Sequence, residues 1–297
     1  MKDDMVKAHQ AIRDLMSSAG PELQRQRDAY DRWGEAFPLP EGTVIAPLEF
    51  ARGTLVTTPR SEPDRYVLYL HGGSYRMGSS RSHRELAANV ADATRAAVAL
   101  LDYPLAPEHP FPAALDAARD AYTALLDRVP AHRMALVGES AGGGLAIATM
   151  LRLKDEGLPL PGAAAVNSPW VDMEATGRSM IEREARDPLV SRQQLLGSAA
   201  DYLAGADPGH PYVSPVHGDL TGLPPLLIQV GTEETLYDDA LTLHGLAVEA
   251  DVEATLIVVP GAPHVWHHLA SWLPEGREAV EAVGRHVVKN TAHAPRS

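Results

Sequence analysis

A serine framed by small residues, Gly138-Glu139-Ser140-Ala141-Gly142, directly follows the apolar run Met134-Ala135-Leu136-Val137 and precedes a small-residue segment from Gly143 to Lys154. Strand, serine, helix is the order that holds a nucleophilic hydroxyl on a sharp turn at the end of a sheet. The glycines let the backbone close tightly where larger side chains would clash. A hydroxyl is a poor nucleophile at its free pKa, so Ser140 requires a base, and the base a group that orients it. Of the 13 histidines, His264 is best placed: Leu256 to Val259 reads as a strand, Pro260-Gly261-Ala262-Pro263 as a turn, and His264 follows. Loops at strand carboxyl ends are where open α/β sheets gather ligand groups. His267 and His268 are alternatives in what reads as the following helix.

The orienting acid should follow an earlier strand, and after Leu226 to Val230 comes Gly231-Thr232-Glu233-Glu234-Thr235-Leu236-Tyr237-Asp238-Asp239. Position alone does not rank Glu233 against Glu234. Asp238 and Asp239 read as a solvated acidic helix start. Acyl transfer also creates an oxyanion, for which His71-Gly72-Gly73-Ser74-Tyr75 supplies closely spaced backbone donors directly after a strand. Gly72 and Gly73, with the N–H of Ala141 beside the nucleophile, are the expected donors.

The elements that must position these groups alternate along the chain. Two amino-terminal helices are expected, the first with apolar Met5, Ala8, Ile12 and Met16 near helical spacing, the second from Glu22 to about Trp33. They read either as a tail packed on the core or as a lid. A strand pair within 43–58 precedes the strands 66–70, 97–101, 134–137, 163–167, 226–230 and 254–259, with helices near 84–93, 112–126, 191–203, 238–250 and 275–288. Repeated strand and helix units predict an α/β fold, a mostly parallel sheet covered on both faces. Between Met173 and Tyr212 the rhythm breaks, and this interval reads as an excursion above the sheet. The expected organisation is therefore amino-terminal cap helices over 1–40, a catalytic domain over 41–172 and 213–297, and a cap insertion over 173–212.

With 297 residues, 45% of them hydrophobic, the chain can bury a large core as one domain with a small attached element. A net charge of −13 without a dense basic block opposes binding to nucleic acid or an anionic membrane surface. No apolar leader and no run of spanning length appears, which makes a cytoplasmic location the default expectation. The absence of cysteine excludes disulfides and thiolate chemistry, and no His-Glu-x-x-His metal pattern occurs.

The chain resembles the hormone-sensitive-lipase-like branch of the α/β-hydrolase superfamily, the bacterial esterases with an HGG motif upstream of the elbow. The marks are HGGSY at 71–75, DYPLAPEHPFPAALD at 102–116, GESAGG at 138–143, SPWVD at 168–172, YVSP at 212–215 and GLPPLLIQVGTEETLYDD at 222–239. By resemblance Ser140 is the nucleophile, Glu234 the acid and His264 the base, while Gly72, Gly73 and Ala141 match the oxyanion donors. His71 would shape the loop and Glu139 support the nucleophile. The resemblance implies a helical cap, made from the amino-terminal segment and an insertion after the fourth or fifth large-domain strand. Three features depart from the commoner pattern: Ser74 where glycine or alanine is frequent, Glu234 where Asp is, and Val265-Trp266 after the histidine. Ser74, Tyr75 and Trp266 are the pocket candidates, although Trp266 also fits a core position. The implied activity is hydrolysis of a small to medium carboxylic ester or lactone without cofactor or metal. Acyl transfer to another acceptor and a non-catalytic ligand-binding role are the alternatives. A homodimer is compatible with the resemblance, and the sequence identifies no interface for it.

Overall fold

The computed structural model describes residues 3–292, apart from the side chains of 15–19, so Met16 lies outside the described residues. The chain opens with two helices, α1 (Asp3–Ala19) and α2 (Leu23–Glu35), divided where Gly20 takes φ 72° before Pro21. The antiparallel pair β1 (Val44–Pro47) and β2 (Gly53–Thr57) follows, then β3 (Tyr66–Leu70), α3 (Arg84–Thr94), β4 (Ala97–Leu101) and α4 (Ala113–Leu126). Next come β5 (Met134–Glu139), α5 (Ala141–Asp155) and β6 (Ala163–Asn167). A short α6 (Ser179–Glu182) and α7 (Arg192–Leu203) interrupt the alternation before β7 (Leu226–Gly231), α8 (Tyr237–Glu249), β8 (Ala254–Val259) and α9 (Pro274–Asn290). The expected elements all form, with ends displaced by a few residues.

The strands join one sheet in the order β1-β2-β4-β3-β5-β6-β7-β8, parallel from β4 through β8. Its middle strands are buried on both faces, which is why they read as continuous apolar runs rather than alternating ones. Alternation instead divides residues between two cores: Leu68, Leu70 and Leu136 pack with α4, α5 and α8, whereas Val67, Tyr69 and Val137 pack with α3 and α9. This is the α/β-hydrolase fold expected, a mostly parallel sheet between helical layers with a helical cap. The break in the alternation falls between β6 and β7.

The amino-terminal helices pack on the core and also border a cavity. Met5, Ala8 and Ile12 bury against Ala262, Trp266, Leu269 and Leu273, and Ile12 also lines a cavity at Ser140. Helix α2 is fixed by Arg27, which donates to the carbonyls of Arg76 (2.7 Å) and Ala106 (3.0 Å) and pairs with Glu108. Asp31 accepts the Ser79 hydroxyl at 2.6 Å. Among the described residues no helix is long and apolar enough to cross a membrane.

The turn from β5 into α5 makes a very close contact with the end of β3. A Cβ on Gly142 would lie 2.0 Å from the Leu70 carbonyl oxygen, and one on Gly138 2.3 Å from that of Gly142. Gly142→Ala should therefore destabilise the protein by about 3 kcal/mol, read as a lower urea midpoint. Gly245, inside α8 with open space where a Cβ would stand, provides the opposite case: Gly245→Ala should raise stability by about 0.5–1 kcal/mol.

Candidate active site

Ser140 sits between β5 and α5 with φ 53° and ψ −123°, a conformation unfavourable by about 1–3 kcal/mol for a residue with a side chain. The surroundings enforce it. Its N–H donates to the Asn167 carbonyl (2.9 Å), and its carbonyl accepts the N–H groups of Gly143 (3.0 Å), Gly144 (3.2 Å) and Trp170 (2.9 Å). The hydroxyl is thereby aimed at His264, whose Nε2 lies 3.0 Å from Oγ. On the other side of the ring, Nδ1 lies 2.8 Å from Glu234 Oε2. With Nδ1–H donated to a carboxylate, Nε2 is left to accept the serine proton.

Glu234, not Glu233, is the acid brought to His264. Its Oε1 accepts the Gly231 N–H (2.6 Å) and the Ser168 hydroxyl (2.8 Å), which leaves Oε2 for the imidazole. Glu233 turns toward Thr232 and Arg186. Burial opposes a charge on His264, but the hydrogen bond and charge of Glu234 outweigh it and raise the pKa above 6.5. The acid and histidine loops are also sewn to each other: Gly261 N–H donates to Thr232 Oγ1 at 2.8 Å, and a Cβ on Gly231 would lie 2.1 Å from the Ala262 carbonyl oxygen.

The alternatives His267 and His268 lie elsewhere, in a 3-10 turn over Trp266–Leu269. His267 Nε2 meets Gln229 Oε1 at 2.6 Å, and His268 packs against Trp33 and His83. Burial pushes His267 well below 6.5 and His268 down to about 3, so both rings are neutral.

The loop after β3 corrects one expectation. The Gly72 N–H is donated to Glu139 Oε1, inside the protein, and is not free for an oxyanion. The next two residues turn the other way. Gly73 has φ 112° and Ser74 φ 57°, both line the cavity with Ser140, and their N–H groups find no acceptor among the described residues. A Cβ on Gly73 would lie 2.4 Å from the Met77 carbonyl oxygen, so glycine is required there by space as well as by φ. Ala141 stands at the first position of α5, where the helix leaves its N–H unpaired.

Glu139 and His71 hold this loop from behind. Glu139, fully buried, accepts from Tyr69 OH as well as Gly72 N–H, and lies 2.7 Å from His83 Nε2. Burial lifts its pKa above the ordinary carboxylate value against these bonds. His71 stacks on Tyr103 with ring centroids 4.2 Å apart, and its Nδ1 meets the Gly72 carbonyl at 2.8 Å. Tyr103 in turn donates its hydroxyl to the His71 carbonyl at 2.6 Å. Burial lowers His71 to about 4 and His83 to about 3, so neither carries charge at neutral pH.

A cavity of about 220 Å³ opens on Ser140 and His264. Much of its lining is apolar or neutral, with Ile12, Leu23, Tyr30 and Trp33 from α1 and α2 and Leu189, Val190 and Leu195 from the insertion, while Arg76, paired with Asp201 at 2.9 Å, adds a charged group to the wall. Of the expected pocket residues only Ser74 is on it. Tyr75 is buried with its ring stacked on Tyr202 at 3.8 Å, and Trp266 is buried against Met5, Ala8 and Leu273 with Nε1 donating to the Glu275 carbonyl. Both are core residues, withdrawn by size and shape into apolar packing. Asp239 likewise departs from the solvated reading: it is buried and accepts the N–H groups of Val171 (3.0 Å) and Asp172 (3.2 Å).

Two residues escape sequence reasoning. Ser168, at φ 48°, ties Glu234 to the Val265 N–H; its only signal is membership of SPWVD. His83 carries none, because its role arises from a distant approach to Glu139. Two groups among the described residues bring three metal-capable atoms within 4.8 Å of one another. In His83–Glu139–His268 the carboxylate is already engaged by Tyr69 and Gly72, and in Asp172–Glu174–His217 the Asp172 oxygens accept the N–H groups of Glu174 and Thr176.

Comparison with known proteins agrees with this geometry. A family model described as alpha/beta hydrolase fold matches residues 67–268. An acetyl-hydrolase of Streptomyces hygroscopicus is 47% identical over 271 residues, covering 89% of each chain. An esterase of Acinetobacter venetianus is 35% identical, covering 86% of this chain and 85% of its own. A solved esterase of the bacterial hormone-sensitive lipase family superposes with a TM-score of 0.96 at 39% identity, covering 98% of this chain and 99% of that one. A crystal structure of EstE5 soaked with p-nitrophenyl butyrate gives 0.93 at 38% identity, with 98% and 100% covered.

The Glu234 contact makes a spectroscopic prediction. The His264 ring should titrate above 6.5 in the folded protein, and Glu234→Gln should move that titration to lower pH, as followed by NMR. An unmoved titration would show that Glu234 does not govern the ring.

Proposed function

The chain belongs to the hormone-sensitive-lipase-like branch of the α/β-hydrolases, and on that footing we propose that it hydrolyses a small to medium carboxylic ester or lactone through an acyl-enzyme. The observation that carries this reading is the unbroken relay from Ser140 Oγ to His264 Nε2 (3.0 Å) and from His264 Nδ1 to Glu234 (2.8 Å). His264 takes the Ser140 proton as Oγ attacks the carbonyl carbon, and the imidazolium formed is stabilised by Glu234. The tetrahedral oxyanion is met by the N–H groups of Gly73, Ser74 and Ala141, one residue along from the expected pair because Gly72 is committed to Glu139. Collapse breaks the bond to the leaving oxygen, which receives the proton from His264. Water, deprotonated by the same ring, then attacks the acyl-serine and releases the acid.

The cavity supports a modest, largely uncharged substrate. Its volume of about 220 Å³ and its apolar walls suit a short acyl chain with a compact alcohol. The relative of Streptomyces hygroscopicus is an acetyl-hydrolase, which agrees with a short acyl preference. The charge of −13 supports the reading that neither nucleic acid nor an anionic membrane is a partner. Residues 1–40 and 173–212 act as the cap, since both contribute cavity walls.

Ser140→Ala should lower kcat on p-nitrophenyl acetate or butyrate by about 10⁴-fold or more and abolish labelling by a fluorophosphonate. Retained turnover would overturn the mechanism. Glu139→Gln should lower kcat by about tenfold, because an amide nitrogen in place of one carboxylate oxygen cannot accept from Tyr69 OH or the Gly72 N–H, which loosens the Gly72 loop. Across an acyl series, rates should peak at short chains. Dominant activity on long-chain esters would refute the proposed substrate size.

A further inference from the structure

The residue after Glu234 is gripped from both sides by the insertion between β6 and β7. Thr235, fully buried, donates its N–H to Asp187 Oδ2 at 2.9 Å and its hydroxyl to the same oxygen at 3.2 Å. Its carbonyl accepts the Ser179 hydroxyl at 2.5 Å. Ser179 is itself fixed, its N–H donating to Asp238 Oδ2 (2.9 Å) and its Oγ accepting the Asp238 N–H (3.0 Å). Both polar backbone atoms of Thr235 therefore end on side chains of the insertion, none on the sheet.

The second oxygen of Asp187 faces the cavity wall. Oδ1 accepts the N–H groups of Leu189 (2.9 Å) and Val190 (3.0 Å), and these two residues line the cavity at Ser140. A single carboxylate thus joins the apolar wall of the cavity to the mount of Glu234. Beside it, Arg186 Nη1 lies 4.0 Å from Glu233 Oε2, but the arginine is largely exposed and this second link is weak.

We propose that Asp187 is a positioning residue of the reaction: it couples the substrate-contacting wall at Leu189 and Val190 to Glu234 through Thr235, so that the insertion sets the geometry of the acid as well as the shape of the cavity. This rests on the serine-hydrolase reading above. The charged and titratable groups that face His264 are Glu234 from the loop after β7, Asp187 from the insertion, Glu139 from the elbow, and His267 and His268 from its own loop. Asp187 is one of the negative groups that favour protonated His264. Its effect on the ring is therefore separable from a purely mechanical one.

The test is steady-state kinetics of the full chain on p-nitrophenyl butyrate across pH. Asp187→Asn keeps the size, removes the charge and sets an amide NH2 against backbone donors on one side; it should lower kcat by about tenfold and move the acid limb of kcat/KM to lower pH, since His264 loses a negative neighbour. Asp187→Glu should return the acid limb toward the wild-type position while kcat stays low, because the longer side chain restores charge and not geometry. Thr235→Val should cost about threefold in kcat alone and add almost nothing on top of Asp187→Asn, as expected for residues acting through one contact. An unmoved acid limb in Asp187→Asn, or additive losses in the double variant, would overturn the proposal. If Asp187→Asn does not fold, Thr235→Val decides: lower kcat at unchanged Tm supports the coupling, and wild-type kcat overturns it. Ser140→Ala serves as the separate control, since its full activity would reject the serine mechanism itself, whereas an inactive Ser140→Ala with an unmoved Asp187→Asn acid limb rejects the coupling alone.

Discussion

Everything at the centre of this protein depends on one close approach, the first turn of α5 pressed against the end of β3. The Gly142 Cα leaves no room for a methyl beside the Leu70 carbonyl, and Gly144 none beside that of Trp170. Parallel pairing of β3 with β5 puts the elbow and the HGGSY loop at the same end of the sheet, and this contact lets them lie close together. Ser140 is then forced to φ 53°, and its backbone groups are used up by Asn167, Gly143, Gly144 and Trp170. The unfavourable conformation, about 1–3 kcal/mol, is held by packing and hydrogen bonds that cannot relax separately. Position of the nucleophile is thus a property of the sheet and helix together rather than of the serine.

The same approach brings a carboxylate into the core. Glu139 precedes Ser140 on β5 and so must point to the opposite side of the strand end, toward α3. Buried there, it requires donors, and it takes them from Tyr69 and the Gly72 N–H, with His83 beside it. With the Gly72 N–H drawn inward, the chain turns at Gly73 and Ser74, which line the cavity and whose N–H groups find no acceptor among the described residues. The polar group that is costly to bury is the one that shapes the loop beside Ser140.

Local patterns make much of this legible. A strand directly followed by a glycine-framed serine, and a histidine just after the last strand, are short-range signals, and Ser140 and His264 follow from them. The choice of Glu234 over Glu233 needs resemblance, because adjacent acids share the same loop and only the direction of each side chain separates them. Gly72 departs from its expected role for a physical reason: its N–H is consumed by Glu139, 67 positions away, and no spacing rule reports that. Trp266 and Tyr75 suggest pocket residues because they adjoin motif residues, but successive residues on a tight turn point in different directions, and both rings are taken into apolar packing. Asp239 looks solvated because acidic helix starts usually are; here the loop after β6 reaches α8 and supplies two backbone donors, from Val171 and Asp172.

The identity of the acid accounts for its unusual number of tethers. A glutamate carries one more rotatable bond than an aspartate, so a loop that presents Glu234 must remove freedom that a shorter side chain would not have. Gly231 N–H and Ser168 hydroxyl fix Oε1, and with Oε1 fixed the carboxylate plane can present Oε2 to His264 in essentially one way. Ser168 also accepts the Val265 N–H, so the same hydroxyl sets the acid and the backbone just past the base. Its φ of 48° is the strain required to place that hydroxyl between two loops. The longer acid is workable because the loop after β6 contributes a donor to the loop after β7. The relay is accordingly built from four strand ends, β5, β6, β7 and β8, of which only the nucleophile, acid and base announce themselves in the sequence.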